Sequence, residues 1–556
     1  MGQLNVINIE GYKSIGNPIQ IRFPQNMPVV LIGENNSGKT NILRAIDLMF
    51  GEWWPKSKDF EDHDFWGRCN QKNRIIIKTE VSEFEGRLGR SMEYECGGFR
   101  LTAEKGKSNE FVAIQSEDGN DNIYVNSALR NEISSVFVSP EHNLSYQLSY
   151  SSKYTLLSKV TKAFHDRLVS NEERIKHLKD LFDQTVATFL EVDEFKEFKD
   201  NLTNIAGEMI GNMSHGLQLD FSAYDPSNYL KTLRVHPSQN GEIRAFEELG
   251  TGQAQILALS FAHAYAKCFK QQGLILLIDE PESHLHPLAQ KWLAKVMFKM
   301  AAAGLQVVIS THSPYFIDLE FLEGLYLVKK VQEETVLVST NKKQLSEFCI
   351  SKGANTAKTK KETIIPFYSG NVTTNILKGF FSNKIILVEG PTEELALPIY
   401  LEKAGFDTLK EGVDVIGVGG KGNLAKWKRF FNIFEIPVYI CFDNDANDDG
   451  EAVKRKDALK TVGINEEDMN SYINQEVWEV CDEFCVFGKD FEVSLRKEFN
   501  DYSDLEKEAI QELGDSKPIV ARAVSKRLEY RSDESGWKKI TQMIGKISEL
   551  KTVGVA

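Results

Sequence analysis

The sequence predicts an α/β protein built from two successive strand–helix units, and three observations predict it. Apolar strands alternate with helices near the start and again after Arg234, and the same alternation restarts at Lys384. Such alternation implies parallel sheets with helices on both faces. At 556 residues the chain also exceeds the length at which one hydrophobic core stops growing, so two or three domains are expected.

The first strands are Leu4–Ile9, Ile19–Phe23 and Val29–Ile32, and a helix from Lys39 to about Phe50 follows the third. Residues 74–150 alternate apolar and polar in short segments ("RIIIKTEVSEF", "FVAIQ", "SSVFVS"), which suggests antiparallel strands. From Tyr154 to Met213 the pattern is helical and charged without sustained heptads, so a helical hairpin or small bundle is expected there. "LILLIDE" (274–280) reads as a buried strand, 288–303 as a helix, "LQVVIS" as another strand, and "LYLVKK" with "ETVLVST" as a hairpin. The lysine-rich stretch around "SKGANTAKTKKET" reads as a linker. The second unit then runs strand "KIILVE", helix 393–404, strand "VDVIGV", helix 423–434, strand "VYICFD". The expected units are 1–73 with 234–345, insertions at 74–150 and 151–233, a linker at 346–380, and a second domain at 381–556.

Apolar residues make up 42% and charged residues 26%, ordinary for a globular protein. No run nears 18 consecutive apolar residues and no secretory leader is visible, so no membrane is expected. The seven cysteines are scattered, with Cys481 and Cys485 the nearest pair and no histidine cluster to complete a zinc site. A reducing, cytoplasmic compartment fits. Net charge −14 argues against a protein wrapped uniformly in nucleic acid, yet leaves room for a local basic groove beside metal-binding carboxylates.

Two motifs carry chemistry. Gly33-Glu34-Asn35-Asn36-Ser37-Gly38-Lys39-Thr40 fits G-x4-G-K-[ST] between a strand and a helix. Its backbone N–H groups and the helix N-terminus would cradle the phosphates of ATP, with Lys39 on the outer phosphates and Thr40 on Mg²⁺. Downstream, "LILLIDEP" ends a strand at Asp279, placed to hold Mg²⁺, beside Glu280, placed to polarise water. "VVISTHSP" puts His312 at the next strand end to sense the terminal phosphate, while His284 and His286 read as turn residues. Between these parts "EELGTGQAQILAL" opens a helix with Gly250 and Gly252.

The second motif is "LVEGPTEE". Glu389 ends a strand, Gly390 allows close backbone approach, and Glu393 lies on the first helical turn. "VYICFDNDANDDG" ends a parallel strand with Asp443 and Asp445, two apart and so on one side of extended chain. Carboxylates from two neighbouring strand ends make a hard-oxygen site for Mg²⁺ or Mn²⁺, with Ca²⁺ also able to enter. "GGKGNLAKWKRFF" carries Lys421, Lys426, Lys428 and Arg429 among aromatics. It reads either as a helix touching a DNA backbone or as one packing its aromatics inward.

In their order these motifs resemble an ABC-type ATPase, with a signature helix at Gly250–Gly252 and an opening similar to SMC and RecF-like ATPases. The second unit resembles the Rossmann-like TOPRIM domain, whose glutamate and Asp-x-Asp fall on Glu389, Asp443 and Asp445. The two together resemble the OLD (overcoming lysogenisation defect) family of ATP-dependent nucleases. That resemblance implies two-metal phosphodiester cleavage gated by ATP. It also implies a homodimer or larger even-numbered assembly, action on DNA, a role in anti-phage defence, and a helicase or a reverse transcriptase with its DNA product as partner. It further implies a second-metal carboxylate, for which Glu492 in "GKDFEVSL" is the candidate, and a lysine near the scissile phosphate. Lys517 is the choice for that lysine, with Lys526 and Lys546 as alternatives. A DNA-binding scaffold with an inactive or partner-dependent TOPRIM unit is the competing reading. A strand-passing topoisomerase would need a tyrosine nucleophile on its own domain, which no segment supplies.

Overall fold

The computed structural model describes residues 2–51, 53–84, 87–88, 94–115, 123–138, 155–189, 273–445, 452–473 and 476–551, with a few further positions between 191 and 264. Three large sheets organise these residues, beside a two-stranded ribbon of Ser238–Gln239 and Glu242–Ile243. The first is antiparallel, in the order Ile19–Arg22, Gln3–Glu10, Arg74–Ser82, Tyr94–Glu104, Glu110–Gln115, Ile123–Tyr124. The second is the central sheet, ordered Glu334–Ser339, Leu325–Val331, Val29–Ile32, Gln306–Thr311, Gly273–Asp279, Ile133–Val138, and parallel except for its first hairpin pair. The third runs Val413–Gly417, Lys384–Val388, Val438–Asp443, Phe484–Phe487, Glu479–Val480, and is parallel except for its last pair.

Strand alternation splits the interior into three cores. Leu31, Leu277 and Val308 of the central sheet face Ile7, Ile42 and Ile77 in one core beneath the antiparallel sheet. Their sequence neighbours Ile32, Leu276, Ile278 and Ile309 face the other way, into a core that continues without a break to Ile385, Leu387, Ile440 and Phe442 of the third sheet. The opposite face of that third sheet, with Ile386, Val388 and Tyr439, packs on helix Pro391–Lys403 through Tyr400 and on helix Ser535–Glu549 through Trp537 and Ile540. The two strand–helix units therefore share one hydrophobic interior.

Two sequence expectations change, and the inward-packing alternative for "GGKGNLAKWKRFF" is the one the structure bears out. Residues 346–380 are no free linker: helices Lys342–Ser351 and Ile364–Ser369 lie here, and Ile364, Ile365, Tyr368, Ile376 and Phe380 are buried in the shared core. The polar opening of the stretch masks the apolar "IIPFY" that makes it pack. "SSVFVS" does not join the antiparallel strands but pairs parallel with Gly273–Asp279 as the edge of the central sheet, and Ser135 Oγ donates to Asp47 of the Lys39–Phe50 helix at 2.7 Å. Helix Leu424–Ile433 offers no surface to DNA, because every one of its residues is buried. Trp427, Phe430 and Phe431 pack with Tyr368 and Phe380. Two of its cations meet carboxylates inside the fold, while Lys426 donates to Phe367 O (2.5 Å) and to Asn371: Lys428 Nζ donates to Val438 O (2.7 Å) and Glu483 (3.0 Å), and Arg429 pairs with Asp457. Buried charge persists only when paired or hydrogen-bonded in this way.

Helices Leu156–Val169 and Glu172–Phe189 form part of the helical region after residue 150. Among the described residues no helix is long and apolar enough to cross a membrane.

Candidate nucleotide site and carboxylate site

The nucleotide loop leaves strand Val29–Ile32 and enters helix Lys39–Phe50. Gly33 is required by contact: a Cβ there would lie 2.1 Å from the carbonyl oxygen of Val328 on the adjacent strand. Asn36 turns the loop with a positive φ of 63°, Asn35 precedes it, and the hydroxyl of Ser37 is buried without a partner. Lys39 is 4% exposed, and its ammonium donates back to Gly33 O (3.1 Å) and Glu34 O (2.8 Å). Burial lowers it to about 8, against the opposing pull of Glu280 and Asp279. Thr40 Oγ1 donates to Asp279 Oδ1 at 3.2 Å, so the two expected Mg²⁺ residues meet directly. Glu280 follows Asp279 with a φ of 46° and lies 3.6 Å from His312 Nε2. Burial, reinforced by the charge of Lys39, pushes His312 down to about 4. A neutral imidazole thus sits beside Glu280 at the end of strand Gln306–Thr311.

Sequence reasoning passed over three neighbours. Ser310 Oγ donates to Asp279 Oδ1, and Glu282 Oε1 accepts from His312 N at 2.5 Å. Thr335 Oγ1 donates to Ser37 O at 2.9 Å. The in-line signals were "STHSP" and "DEPES", whose extra polar residues beside a strand end had no assigned work. Gly250 and Gly252 lie outside the described residues. His286 caps helix Pro287–Ala302 through Nδ1, and His284 has a φ of 63°, both turn roles as expected.

The second site lies where strands Lys384–Val388 and Val438–Asp443 end side by side. Asp443 N donates to Glu389 Oε1 at 2.8 Å, tying the two expected carboxylate positions together. Glu393 Oε2 accepts from Gly390 N at 3.2 Å. Burial raises Glu389 and raises Glu393 to about 7; nearby Glu389 and Glu492 push Glu393 further in the same direction. Asp443 is held well above the usual carboxylate range, by burial first and then by Glu389, Glu393 and Asp445. Its Oδ1 is buried with no hydrogen-bond partner. An orphaned buried acceptor among mutually repelling carboxylates fits a hard divalent cation.

Placement of the remaining residues is uneven. Asp445 is not a simple continuation of the strand; it turns with a φ of 42°, held by Asp445 N to Lys489 O at 2.9 Å. Arg455 Nη1 donates to Asp445 O at 2.7 Å and also to Asn444 O, fixing that turn. Glu492 is buried near Glu393, and Lys517 Nζ is 3.9 Å from Glu492 Oε1 while 72% exposed. Lys546 is committed elsewhere, to Asp482 at 2.6 Å. Lys526 is exposed on helix Lys517–Arg527, where its carbonyl accepts from Lys403 at 2.7 Å. Lys421 enters the site unannounced: its ammonium lies 3.6 Å from Glu389 Oε1 and in contact with Asp445 Oδ2. Among the described residues, no three His, Cys, Asp or Glu side chains are spaced to share an ion. The carboxylates converge on one sheet edge without closing into a finished ligand set.

Fold and sites define a phosphate-loop ATPase unit joined to a TOPRIM-type carboxylate unit. Residues 3–185 and 121–317, together more than half of the chain, match the family described as AAA ATPase domain, and the chain belongs to that family. Residues 380–445 match the overcoming lysogenization defect protein-like TOPRIM domain. The chain is homologous to OLD nucleases. That of Thermus scotoductus is 25% identical over 76% of this chain and 79% of its own length. The Old nuclease of Escherichia phage P2 is 26% identical over 41% of this chain and 39% of its own. Endonuclease GajA of Bacillus cereus is 24% identical over 34% and 28% respectively.

Proposed function

We propose that the chain is an ATP-binding, divalent-metal-dependent DNA endonuclease whose ATPase unit gates cleavage at the carboxylate site, serving in anti-phage defence. The observation that carries this reading is the pairing of Glu389 with Asp443 at adjacent strand ends, with Asp443 Oδ1 left as an orphaned acceptor. Glu389, Glu393, Asp443, Asp445 and Glu492 would hold the ions, Mg²⁺ by preference and Mn²⁺ or Ca²⁺ as substitutes. Divalent ions bound there supply Lewis acidity to water and to the leaving oxygen. Lys517, exposed beside Glu492, is suited to orient the scissile phosphate. At the other site Lys39 and the loop N–H groups bind the phosphates, Thr40 and Asp279 hold Mg²⁺, Glu280 accepts a proton from water, and neutral His312 donates to the terminal phosphate.

The ATPase unit is assigned to 1–73, 133–138 and 234–345, with insertions at 74–132 and 139–233, and the TOPRIM unit to 381–556. Gating is supported by the unbroken core between the two units. A homodimer or larger even-numbered assembly follows if Gly250 and Gly252 serve a second copy's nucleotide. The defence setting rests on the likeness to endonuclease GajA; a helicase or reverse-transcriptase partner and a cytoplasmic location accompany it as expectations of the family resemblance.

Cleavage of supercoiled plasmid by the purified protein with Mg²⁺ or Mn²⁺, beside Glu389→Ala, tests the reading. Loss of cleavage in the variant supports it. Equal activity in both would place the nuclease elsewhere, and binding of DNA without any cleavage would favour a scaffold.

A further inference from the structure

We propose that Lys421 is a tethered stand-in cation: its ammonium holds Glu389 and Asp445 together and has to leave before Asp445 can ligate a divalent ion. This rests on the carboxylates being the ion site. Lys421 is a positioning residue in this scheme, acting through the two carboxylates it bridges.

Four observations carry it. The Lys421 side chain is 2% exposed, against 19% for Glu389 and 37% for Asp445, so the ammonium is the most enclosed member of the trio. Among the described residues its ionic contacts are these two carboxylates, unlike Lys428, which a backbone carbonyl and Glu483 neutralise away from the site. The backbone delivers it there by design of the turn. Gly420 has a φ of 113°, open only to glycine, and its N–H donates to Glu389 O at 2.7 Å, while Asn423 Nδ2 donates to Val418 O at 3.0 Å. From the other side Arg455 and Lys489 O fix the backbone of Asp445, so the carboxylate is presented to a lysine that is already in place.

Charge then decides the sequence of events. An ammonium and a divalent ion cannot both lie between Glu389 and Asp445 at contact distance, because like charges a few ångströms apart in a desolvated site repel strongly. Ion entry therefore exchanges one cation for another. Removing the ammonium frees Asp445 and raises the negative potential of the site, and both effects tighten ion binding.

The experiment is direct Mn²⁺ binding to the full chain without DNA, followed by the paramagnetic signal of free Mn²⁺, in wild type, Lys421→Met, Lys421→Gln, Lys421→Arg and Glu389→Ala. The proposal expects both neutral variants to bind Mn²⁺ about tenfold more tightly, equal to about 1.4 kcal/mol. Lys421→Arg is expected to stay near wild type, which a merely packing role for the side chain would not produce. The glutamine variant keeps the test open if the methionine variant does not fold, as judged by its thermal transition. Neutral variants that bind no more tightly than wild type, while Glu389→Ala abolishes binding, would overturn the proposal and leave the ion site standing. Binding that is absent throughout, or unaffected by Glu389→Ala, would overturn the ion site and the proposal together.

Discussion

The two sites each place a buried lysine next to carboxylates at a strand end, yet they hold it in opposite ways. Lys39 rests on two neutral carbonyls, Gly33 O and Glu34 O, with Asp279 already engaged by Thr40 and Ser310. Lys421 rests on the functional carboxylates themselves. Carbonyl contacts exchange readily for phosphate oxygens, so the nucleotide loop stands organised for its anion. The carboxylate site instead carries an internal counter-charge and must shed it to accept a cation. Preorganisation in one unit and self-occlusion in the other is the arrangement expected when the first is to act before the second.

The largest test of this contrast removes an anion from the second site. Asp443→Asn keeps shape and packing but deletes the orphaned charged acceptor. Cleavage should fall by more than the roughly 10–100-fold typical of losing an outer partner of a metal ligand, while ATP hydrolysis persists, as plasmid nicking and phosphate release measured together would show. Next in size, Lys39→Met removes charge-assisted bonds worth about 1.5–3 kcal/mol each. ATP affinity should fall roughly tenfold to hundredfold by equilibrium binding, with Mn²⁺ binding at the other site unchanged. If Mn²⁺ affinity moved as far as ATP affinity, the two sites would not be separable as drawn.

How much of this was legible in sequence depends on range. The nucleotide loop, its helix, and the strand ends carrying Asp279, Glu389 and Asp443 are local patterns, where a strand, a turn and a helix follow within about ten residues. The shared core is not local. Ile364, Ile365 and Tyr368 sit behind a run of lysines and threonines, and only their distant partners Phe430 and Trp427 give them a place to pack. The pairing of Ile133–Val138 with Gly273–Asp279 bridges more than a hundred residues that no periodicity spans. Lys421 was visible as a basic residue, but it was read with Lys426, Lys428 and Arg429 as part of one helix, either facing DNA or packed inward, and not as a neighbour of Glu389. Its glycine pair at the end of strand Val413–Gly417, next to the strand of Glu389, was the overlooked signal.

A smaller effect should come from the join between the units. Lys329, on the strand beside the nucleotide loop, donates to Phe434 O (3.0 Å) and Glu435 O (2.6 Å) at the C-terminal end of the helix that starts just after Lys421. The preceding residue, Val328, presents the carbonyl against which Gly33 packs. Lys329 thus connects the nucleotide loop to the helix behind the carboxylate site, and a cation at a helix C-terminus is favourable. Burial lowers its ammonium to about 8, which offsets part of that gain. Lys329→Met should cost only ~1–2 kcal/mol of stability and leave ATP hydrolysis and Mn²⁺ affinity within about twofold of wild type. The response of cleavage to ATP should shrink several-fold. An unchanged ATP response would break the link between the sites through this helix.

The narrowest expected effect on stability belongs to His312, because it is confined to acid pH. Its native value of about 4 lies below the roughly 6.5 of an unfolded histidine. Between those values the unfolded chain binds a proton that the folded one excludes, so stability rises with pH from 4 to 6.5 and is lost as pH falls back through that window. His312→Gln should remove this slice of the dependence, on the order of 2 kcal/mol at most, seen as a smaller difference between thermal transitions at pH 5 and pH 7.5. Its ATP hydrolysis should fall at every pH, because a neutral imidazole has already lost its proton well below neutrality. A wild-type hydrolysis profile that steps near pH 6.5 and loses the step in His312→Gln would instead mean that nucleotide returns the charge to His312. In that case the first site, like the second, would depend on a cation that its ligand alters.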